Sequence, residues 1–315
     1  MSLHTAITVP FVISVGLFFF VCGFFGNIFN IFTFLKSDIN NPSIVLLFTS
    51  SCFSLIYLLD GLLTRVLAVG FGIDPTRTNL IWCKTRTYIG QTSSLISLTC
   101  ICYAWCDQLF LSCQKQKYRR LSHFNRTKVA ILCIILFWLV YHIPFYVLAQ
   151  HVSSDNQTYI CNVYAQYEFN KYFSYFHQPI IAAIIPIVFI IVIGILIYKN
   201  VSLLRINHRR ERAQRNLTSM ILVQTIFIII QTIPYGFFSM YLAVTSYGFK
   251  PAYRKDIEAV ITNIVSILYY FSHSFSFFIY YISSSTYRQQ AKQFFIRMNT
   301  FHANRIFVQT TSNSN

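Results

Sequence analysis

Seven long stretches of this chain carry no charged side chain, and together they cover more than half of the sequence. They are Thr5–Leu35, Ile39–Leu59, Thr87–Cys106, Val129–Gln150, Tyr172–Tyr198, Asn216–Phe249 and Ala259–Tyr287. A helix needs roughly 20 mostly apolar residues to cross the ~30 Å hydrocarbon core of a bilayer. The pattern therefore predicts an all-α, polytopic membrane protein that forms a seven-transmembrane helix bundle.

The overall composition favours the same class. Charged residues make up 11% of the chain, and its mean hydropathy is +0.52, whereas a soluble domain carries about 25% charged residues. A soluble helical protein would instead show apolar stripes of period 3.6 with polar faces between them. We expect a short extracellular N-terminus at 1–9, the seven-helix domain at 10–283, and an amphipathic eighth helix with a cytoplasmic tail at 284–315.

The distribution of Lys and Arg predicts the orientation of the bundle. Roughly two thirds of these residues fall in one alternating set of loops, and short loops rich in them stay in the cytoplasm. This places the N-terminus outside and the C-terminus inside, in a multi-pass protein of the plasma membrane. The net charge of +16 then predicts contact with anionic inner-leaflet lipid. It does not indicate nucleic-acid binding, because membrane spans separate the basic segments.

Two features of the predicted outer loops agree with this orientation. Asn156 begins an Asn-Gln-Thr sequon, which predicts N-linked glycosylation in the loop after the fourth span. Of nine cysteines, Cys83 and Cys161 are the only two on the oxidising side of the membrane. They are therefore predicted to form a disulfide between the third span and that loop.

Seven spans, an outer N-terminus and this cysteine pair together resemble the rhodopsin-like (class A) G-protein-coupled receptor family. Local motifs extend the resemblance along the chain. Asn27 follows Gly26 as in the family's first helix, and Tyr280 stands where the seventh helix keeps its Asn-Pro-x-x-Tyr tyrosine. Trp138 matches the single Trp of helix four, and Pro186 and Pro234 match the kinks of helices five and six.

The same resemblance predicts a conformational switch at the inner end of the third helix. Asp107, Gln108 and Leu109 occupy the position of the family's Asp-Arg-Tyr triplet. The resemblance implies that Asp107 acts in this switch together with Tyr280 of helix seven. Gln108 replaces an Arg that holds the resting state through an ion pair. Because a neutral amide forms no ion pair, we expect a shifted resting equilibrium or altered contacts with the G protein.

The resemblance implies a receptor that transmits binding of an extracellular ligand to a heterotrimeric G protein. Gly90 stands where amine receptors carry an Asp counter-ion, which disfavours biogenic amines, and Tyr270 stands where opsins carry the retinal Lys. The aromatic residues of the outer half favour a peptide or a small organic molecule. Our candidate ligand-binding residues are Gly90, Gln91, Tyr241 and Tyr270.

Other functions stay open at this stage. The substitution at Gln108 is compatible with a decoy receptor that binds ligand without coupling. A transporter is the second alternative, although the spans show neither internal charges nor a repeat between halves. We expect His142, His177 and His273 to lie at different depths, as packing residues rather than a proton relay. No catalytic constellation, metal-ligand cluster or cofactor motif is recognised, so an enzyme is not predicted.

Overall fold

The computed structural model of the chain describes residues 3–37, 40–113, 115–153, 159–162, 166–202, 208–245 and 248–293. The predicted glycosylation site at Asn156 lies outside the described residues. So do residues 294–315, which include the apolar part of the predicted eighth helix, and residues 203–207 of one predicted cytoplasmic loop.

The first three long helices follow the first three uncharged stretches. Asn41 caps the second helix by accepting a hydrogen bond from the Ser43 amide, and Pro42 takes the first helical position, where a missing N–H costs nothing. Asn79 caps the third helix in the same way. The elements are α1 (Leu3–Lys36), α2 (Pro42–Tyr57) with π-helical turns at Leu58–Leu63 and Val66–Gly70, a 3₁₀ turn (Pro75–Arg77) and α3 (Leu80–Ser112).

A two-stranded antiparallel sheet interrupts the helices after the fourth span, which an all-α expectation did not include. The elements of this region are α4 (Gln116–Arg119), α5 (Phe124–Tyr141), α6 (Ile143–Leu148), β1 (Gln150–Ser153) and β2 (Tyr159–Asn162). His151 pairs with Cys161 in the strand register. The disulfide from Cys161 to Cys83 in α3 therefore fixes this hairpin over the end of the bundle.

The fifth and sixth spans are long helices of different regularity. The fifth begins as α7 (Tyr167–Lys171), continues as a π-helical segment (Tyr172–Ile184) and ends as α8 (Ile185–Ser202), whereas the sixth is the single helix α9 (His208–Thr245). Within the described residues, six helices are long and apolar enough to cross a membrane. They correspond to the first six predicted spans.

The predicted seventh span is divided rather than continuous. It contains α10 (Ala252–Leu268), α11 (Phe271–Ser274) and α12 (Ser276–Ser283), and helical backbone resumes at 285–293. The Ser272 amide donates to Oε1 of Gln231 in α9 at 2.7 Å, and Nδ2 of Asn27 in α1 donates to the His273 carbonyl at 2.9 Å. Side chains that bond the backbone in this way interrupt a helix without a proline.

The core forms around α3, which packs against α2, α5, α8 and α9. Its apolar part includes Leu46, Leu47, Ile96 and Ile101, none of them more than 1% exposed. A line of polar side chains also crosses the interior. Ser97 bonds both Ser50 and Ser54, at 2.8 and 2.9 Å, and Ser54 bonds Nδ1 of His273 at 2.9 Å. Neighbouring helices thus satisfy polar groups that lipid cannot.

Candidate functional site

A cavity of about 650 Å³ opens at the end of the bundle that carries the Cys83–Cys161 disulfide, which we call the disulfide end. Residues from α2, α3, the fifth span, α9 and the seventh span line it together with Cys161. Gly90, Gln91 and Tyr270, three of the four predicted ligand-binding residues, lie in its wall. Its size and its mixed aromatic and polar lining are typical of small-molecule sites.

The cavity wall carries five charged residues, and only two of them form an ion pair with each other. Arg77 donates from Nε to Oδ2 of Asp74 at 3.1 Å. The remaining three are Asp60 and Arg65 in the second span and Arg86 in α3. Nε of Arg86 donates to Oγ1 of Thr64 at 2.7 Å, and a terminal nitrogen of Arg65 donates to Asn263 at 3.2 Å. Both guanidinium groups are therefore held by neutral partners.

The carboxylate of Asp60 lies in the space that the missing side chain of Gly90 leaves. A Cβ atom built on Gly90 would come within 3.0 Å of Oδ2 of Asp60. Asp60 is 8% exposed, and its Oδ2 has no hydrogen-bond partner among the described residues. It lies in the π-helical turn Leu58–Leu63, a type of turn that is frequent at functional sites. Although position 90 itself carries no carboxylate, Asp60 supplies one to this part of the cavity.

Tyr241, the fourth predicted ligand-binding residue, lies outside this cavity, in an ionic cluster between α9 and α10. Glu258 accepts hydrogen bonds from Nζ of Lys250 at 2.5 Å, from the Tyr241 hydroxyl at 2.9 Å and from Nε of Arg254 at 3.1 Å. These bonds, that of Lys250 above all, hold the pKa of Glu258 below its usual range. The cluster connects the end of α9 with the start of α10. We assign no ligand to it.

Aromatic rings and two histidines pack beneath the disulfide. Phe145 and Phe173 belong to one apolar cluster with Cys83, and the ring of His177 lies 5.4 Å from that of Phe173. The rings of His142 and His177 are 5.6 Å apart, so the expectation that all three histidines lie at different depths was wrong for this pair. Both are fully buried. His273 lies elsewhere, in the polar line through Ser54.

The opposite end of the bundle, which we call the Gln108 end, contains a chain of neutral and charged hydrogen bonds. Ser43 of α2 donates to Oδ2 of Asp107 at 2.5 Å and accepts from Nε2 of Gln108 at 2.7 Å. Oε1 of Gln108 accepts from the Thr218 hydroxyl of α9 at 3.0 Å. Gln108 is fully buried. The amide of Gln108 therefore links α2, α3 and α9.

The remaining predicted residues lie between these two ends. Tyr280 is fully buried, with its ring against those of Phe34 and Tyr287. Nδ2 of Asn27 bonds the carbonyls of Gly23 and His273, and the Trp138 indole donates to Thr99 at 2.9 Å.

The two predicted prolines and Leu109 complete this set. Pro186 is the second residue of α8, immediately after the π-helical segment ends, and Pro234 lies inside the continuous helix α9. Leu109 packs against the main core. None of these residues lines the cavity.

Sequence reasoning missed the residues that carry charge into the cavity and the partners of Gln108. The orientation argument used Arg65 and Arg86 only as positive charges, and Asp60 was assigned no role in a site. Asp60 and Arg86 nevertheless adjoin apolar stretches directly, where a charge is costly unless it serves a function. Ser43 and Thr218 gave no signal, because a hydroxyl in an apolar helix usually bonds its own backbone.

Comparisons with known proteins identify the family. The family model described as "Serpentine type 7TM GPCR chemoreceptor Srw" matches residues 108–298, which is more than half of the chain. The match begins at Gln108 and includes Thr218, Gln231 and Tyr280. No curated protein matches the chain. The protein is a multi-pass membrane protein, and it belongs to the Srw family of serpentine seven-transmembrane G-protein-coupled chemoreceptors.

Proposed function

We propose that this protein is a plasma-membrane receptor that binds a peptide or a small organic ligand in the cavity at the disulfide end and activates a heterotrimeric G protein at the Gln108 end. In this proposal the seventh span is the divided segment that begins at Ala259 within α10 and continues through α12, and the bundle is rhodopsin-like. Membership of a chemoreceptor family supports a signalling role. The bond from Asn27 to the backbone of the seventh span supports the rhodopsin-like arrangement.

One observation carries the proposal: the cavity and the Gln108 link lie at opposite ends of the same two helices. In α3, Gly90 and Gln91 line the cavity, and Gln108 lies some 17 residues further along. In α9, Tyr235 lines the cavity and Thr218 lies at the other end. At 1.5 Å per residue each separation is about 26 Å, close to the ~30 Å of the hydrocarbon core.

The Gln108 link supplies the resting state in this mechanism. Gln108 holds α9 to α3 through Thr218, and it is held in turn by Ser43, which also bonds Asp107. An outward movement of α9 breaks the Thr218 bond and opens a cleft for the G protein. Since the link is neutral, its strength is that of an ordinary hydrogen bond, about 0.5–1.5 kcal/mol. A ligand needs only a modest preference for the open state to shift the population.

Orientation and the terminal segments belong to the same proposal. The N-terminus at 1–9 lies outside, the bundle spans 10–283, and the tail from 284 faces the cytoplasm, where its Lys and Arg contact anionic lipid. The asymmetry of Lys and Arg between loops supports this arrangement. The described helix at 285–293 starts directly after Ser284 and forms the first part of the proposed amphipathic eighth helix. Glycosylation at Asn156 follows from the same orientation.

The test is nucleotide exchange by a panel of G proteins in membranes that contain the full chain. Thr218→Val removes the hydroxyl that bonds Gln108 and keeps the shape of the side chain. We expect basal exchange to rise roughly 2- to 10-fold, the equivalent of one neutral hydrogen bond. Thr232→Val is the matched control, because Thr232 is a buried threonine of the same helix without a hydrogen bond among the described residues. It should leave exchange unchanged.

A decoy receptor is the second candidate, favoured by the absence of the family's Arg at Gln108. If the protein reaches the cell surface and neither it nor Thr218→Val promotes exchange on any G protein, the decoy function replaces our proposal. Ion or solute uptake that depends on the expressed chain would favour a transporter instead. A Gln108→Arg variant adds a further check, since no change in basal or stimulated exchange would show that this position does not set the equilibrium.

A further inference from the structure

We propose that the cavity at the disulfide end recognises a small zwitterion with a protonated amine and a carboxylate, the chemistry of a free α-amino acid. Asp60 binds the amine and Arg86 binds the carboxylate. This inference rests on the proposed receptor function and names the ligand class of its site. It changes the expectation drawn from Gly90, because the carboxylate missing from α3 is supplied by the second span.

Asp60 carries the first step of the argument. A buried carboxylate is costly unless it is paired or hydrogen-bonded. Oδ2 of Asp60 is buried without a hydrogen-bond partner among the described residues, and the side chain borders the cavity. Gly90 is the residue that makes room for it, since a Cβ there would come within 3.0 Å of that oxygen. A ligand ammonium group in the cavity supplies the missing donors.

Arg86 carries the second step. Its Nε proton bonds Thr64, which leaves the two terminal nitrogens of the guanidinium for a carboxylate. Arg86 lies one helical turn before Gly90 on the same face of α3, and it forms neither a hydrogen bond nor an ion pair with Asp60 within the described part of the chain. An α-amino acid places its ammonium and carboxylate groups on one carbon. A zwitterion of this kind can bind Asp60 and Arg86 at once, because both line the same cavity and Asp60 approaches α3 at Gly90, one helical turn from Arg86.

The rest of the cavity suits a small ligand with an apolar or aromatic side chain. Tyr57 and Tyr270 stack with ring centroids 4.8 Å apart and form one wall, and Phe173 and Tyr235 lie elsewhere in the lining. A volume of about 650 Å³ is ample for an amino acid. The other acid of the lining, Asp74, already pairs with Arg77 and leaves Asp60 as the amine site.

Ligand binding to the full chain in detergent micelles tests the proposal without any G protein. The probes are the common L-α-amino acids, each added to the wild-type protein while its thermal unfolding is followed, because a ligand that binds the folded state raises the midpoint. We expect at least one amino acid to raise it. The matching amine without the carboxylate and the matching acid without the amine should each bind at least about tenfold more weakly, since each leaves one charge of the site unpaired.

Substitutions assign the two roles. Asp60→Asn should weaken binding of the active amino acid at least about tenfold, and Arg86→Gln should do the same. Asp74→Asn is the matched control, an acid of the same cavity whose partner is Arg77, and its effect should stay within about threefold.

Three results overturn the proposal: no amino acid raises the midpoint, a truncated analogue binds as tightly as its parent, or Asp60→Asn binds normally. The comparison of analogues uses the wild-type chain and stands even where a variant does not fold. Binding without nucleotide exchange would contradict the proposed coupling and leave the ligand class intact, whereas exchange without amino-acid binding would do the reverse.

Discussion

The two ends of this bundle differ in how their polar and charged side chains are paired. At the disulfide end, the wall of an open cavity holds charged side chains that form no ion pair within the described part of the chain, Asp60 and Arg86 among them. At the Gln108 end, by contrast, the hydroxyl group of Ser43 and the amide group of Gln108 form hydrogen bonds with other residues of the chain. The charged groups at the disulfide end can therefore bind another molecule, whereas the polar groups at the Gln108 end are already hydrogen-bonded to each other.

This difference shows what a helix bundle in lipid can tolerate. An unpaired buried charge is expensive, so it persists where a ligand or water reaches it. A polar network whose groups all have partners costs little and fixes the relative position of helices. In the proposed mechanism, the neutral bond from Thr218 to Gln108 stands where rhodopsin-like receptors have an ion pair. A small binding preference about 26 Å away is then enough to shift the population of the two arrangements of α9.

Removal of the disulfide is expected to have the largest effect and to act on one end alone. Cys83→Ser releases the β1–β2 hairpin from α3 and opens a loop of 78 residues. We expect a loss of about 2–5 kcal/mol in the free energy of unfolding and little protein at the cell surface. Thermal unfolding in detergent and surface labelling measure both quantities. Cys133→Ser, at an exposed free cysteine in α5, is the control and should behave as wild type.

Removal of a single hydroxyl group is expected to disrupt the hydrogen bonds at the Gln108 end. Ser43→Ala removes one donor from Asp107 and one acceptor from Gln108 and leaves both side chains buried. We expect a loss of about 1–3 kcal/mol in the free energy of unfolding, because the groups that remain keep their desolvation cost. Denaturant titration of the purified protein measures it. Ligand binding at the other end should be retained and should tighten at most a few-fold, because the variant weakens only the resting state. Loss of binding would indicate general damage instead.

Ser51→Ala is the matched control for that substitution. Ser51 is a serine of the same helix, 2% exposed, and its hydroxyl bonds only its own backbone, the Leu47 carbonyl at 3.0 Å. It should cost a few tenths of a kcal/mol at most. Equal losses in the two variants would mean that the contact of Ser43 with Asp107 and Gln108 contributes nothing special.

The sequence predicted the parts of this molecule that depend on the bilayer. Six long helices lie where uncharged stretches were found, and the disulfide joins Cys83 to Cys161 as predicted, because hydrophobic length and compartment are local properties. The break between α10 and α11 was not predictable in this way. It depends on Gln231 and Asn27, which bond the backbone of the seventh span from two other helices. The motif at Asn27 indicates a polar residue of the bundle but not this contact, and Gln231 belongs to no recognised motif.

The candidate site shows the same limit. Gly90 and Tyr270, which were chosen by their position relative to motifs, line the cavity. Asp60 was not assigned there, because its approach to Gly90 joins two helices, and Asp60 lies in a π-helical turn that the sequence pattern does not reveal. Tyr241 lies outside this cavity, because its hydroxyl is directed toward Glu258 of α10.

The smallest effect is expected from acid, at the ionic cluster of the disulfide end. Glu258 has its pKa lowered by the hydrogen bond from Lys250 and then by those from Tyr241 and Arg254. A carboxyl group whose pKa is lower in the folded state stabilises that state at higher pH, and the stabilisation disappears as the pH falls through the folded-state value. The cluster therefore contributes fully from neutral pH down to about pH 4–5, and it is lost below that range.

Thermal midpoints measured between pH 8 and pH 3 test this directly. The midpoint of Glu258→Gln should lie below that of wild type by a constant amount above about pH 5, and the two curves should converge in acid. Asp256→Asn, in the same helix, should follow the wild-type curve throughout. A difference that persists at pH 3 would mean that Glu258 stabilises α9 and α10 through packing rather than charge. In that case, only the charged groups that face the cavity would act through their charge at this end.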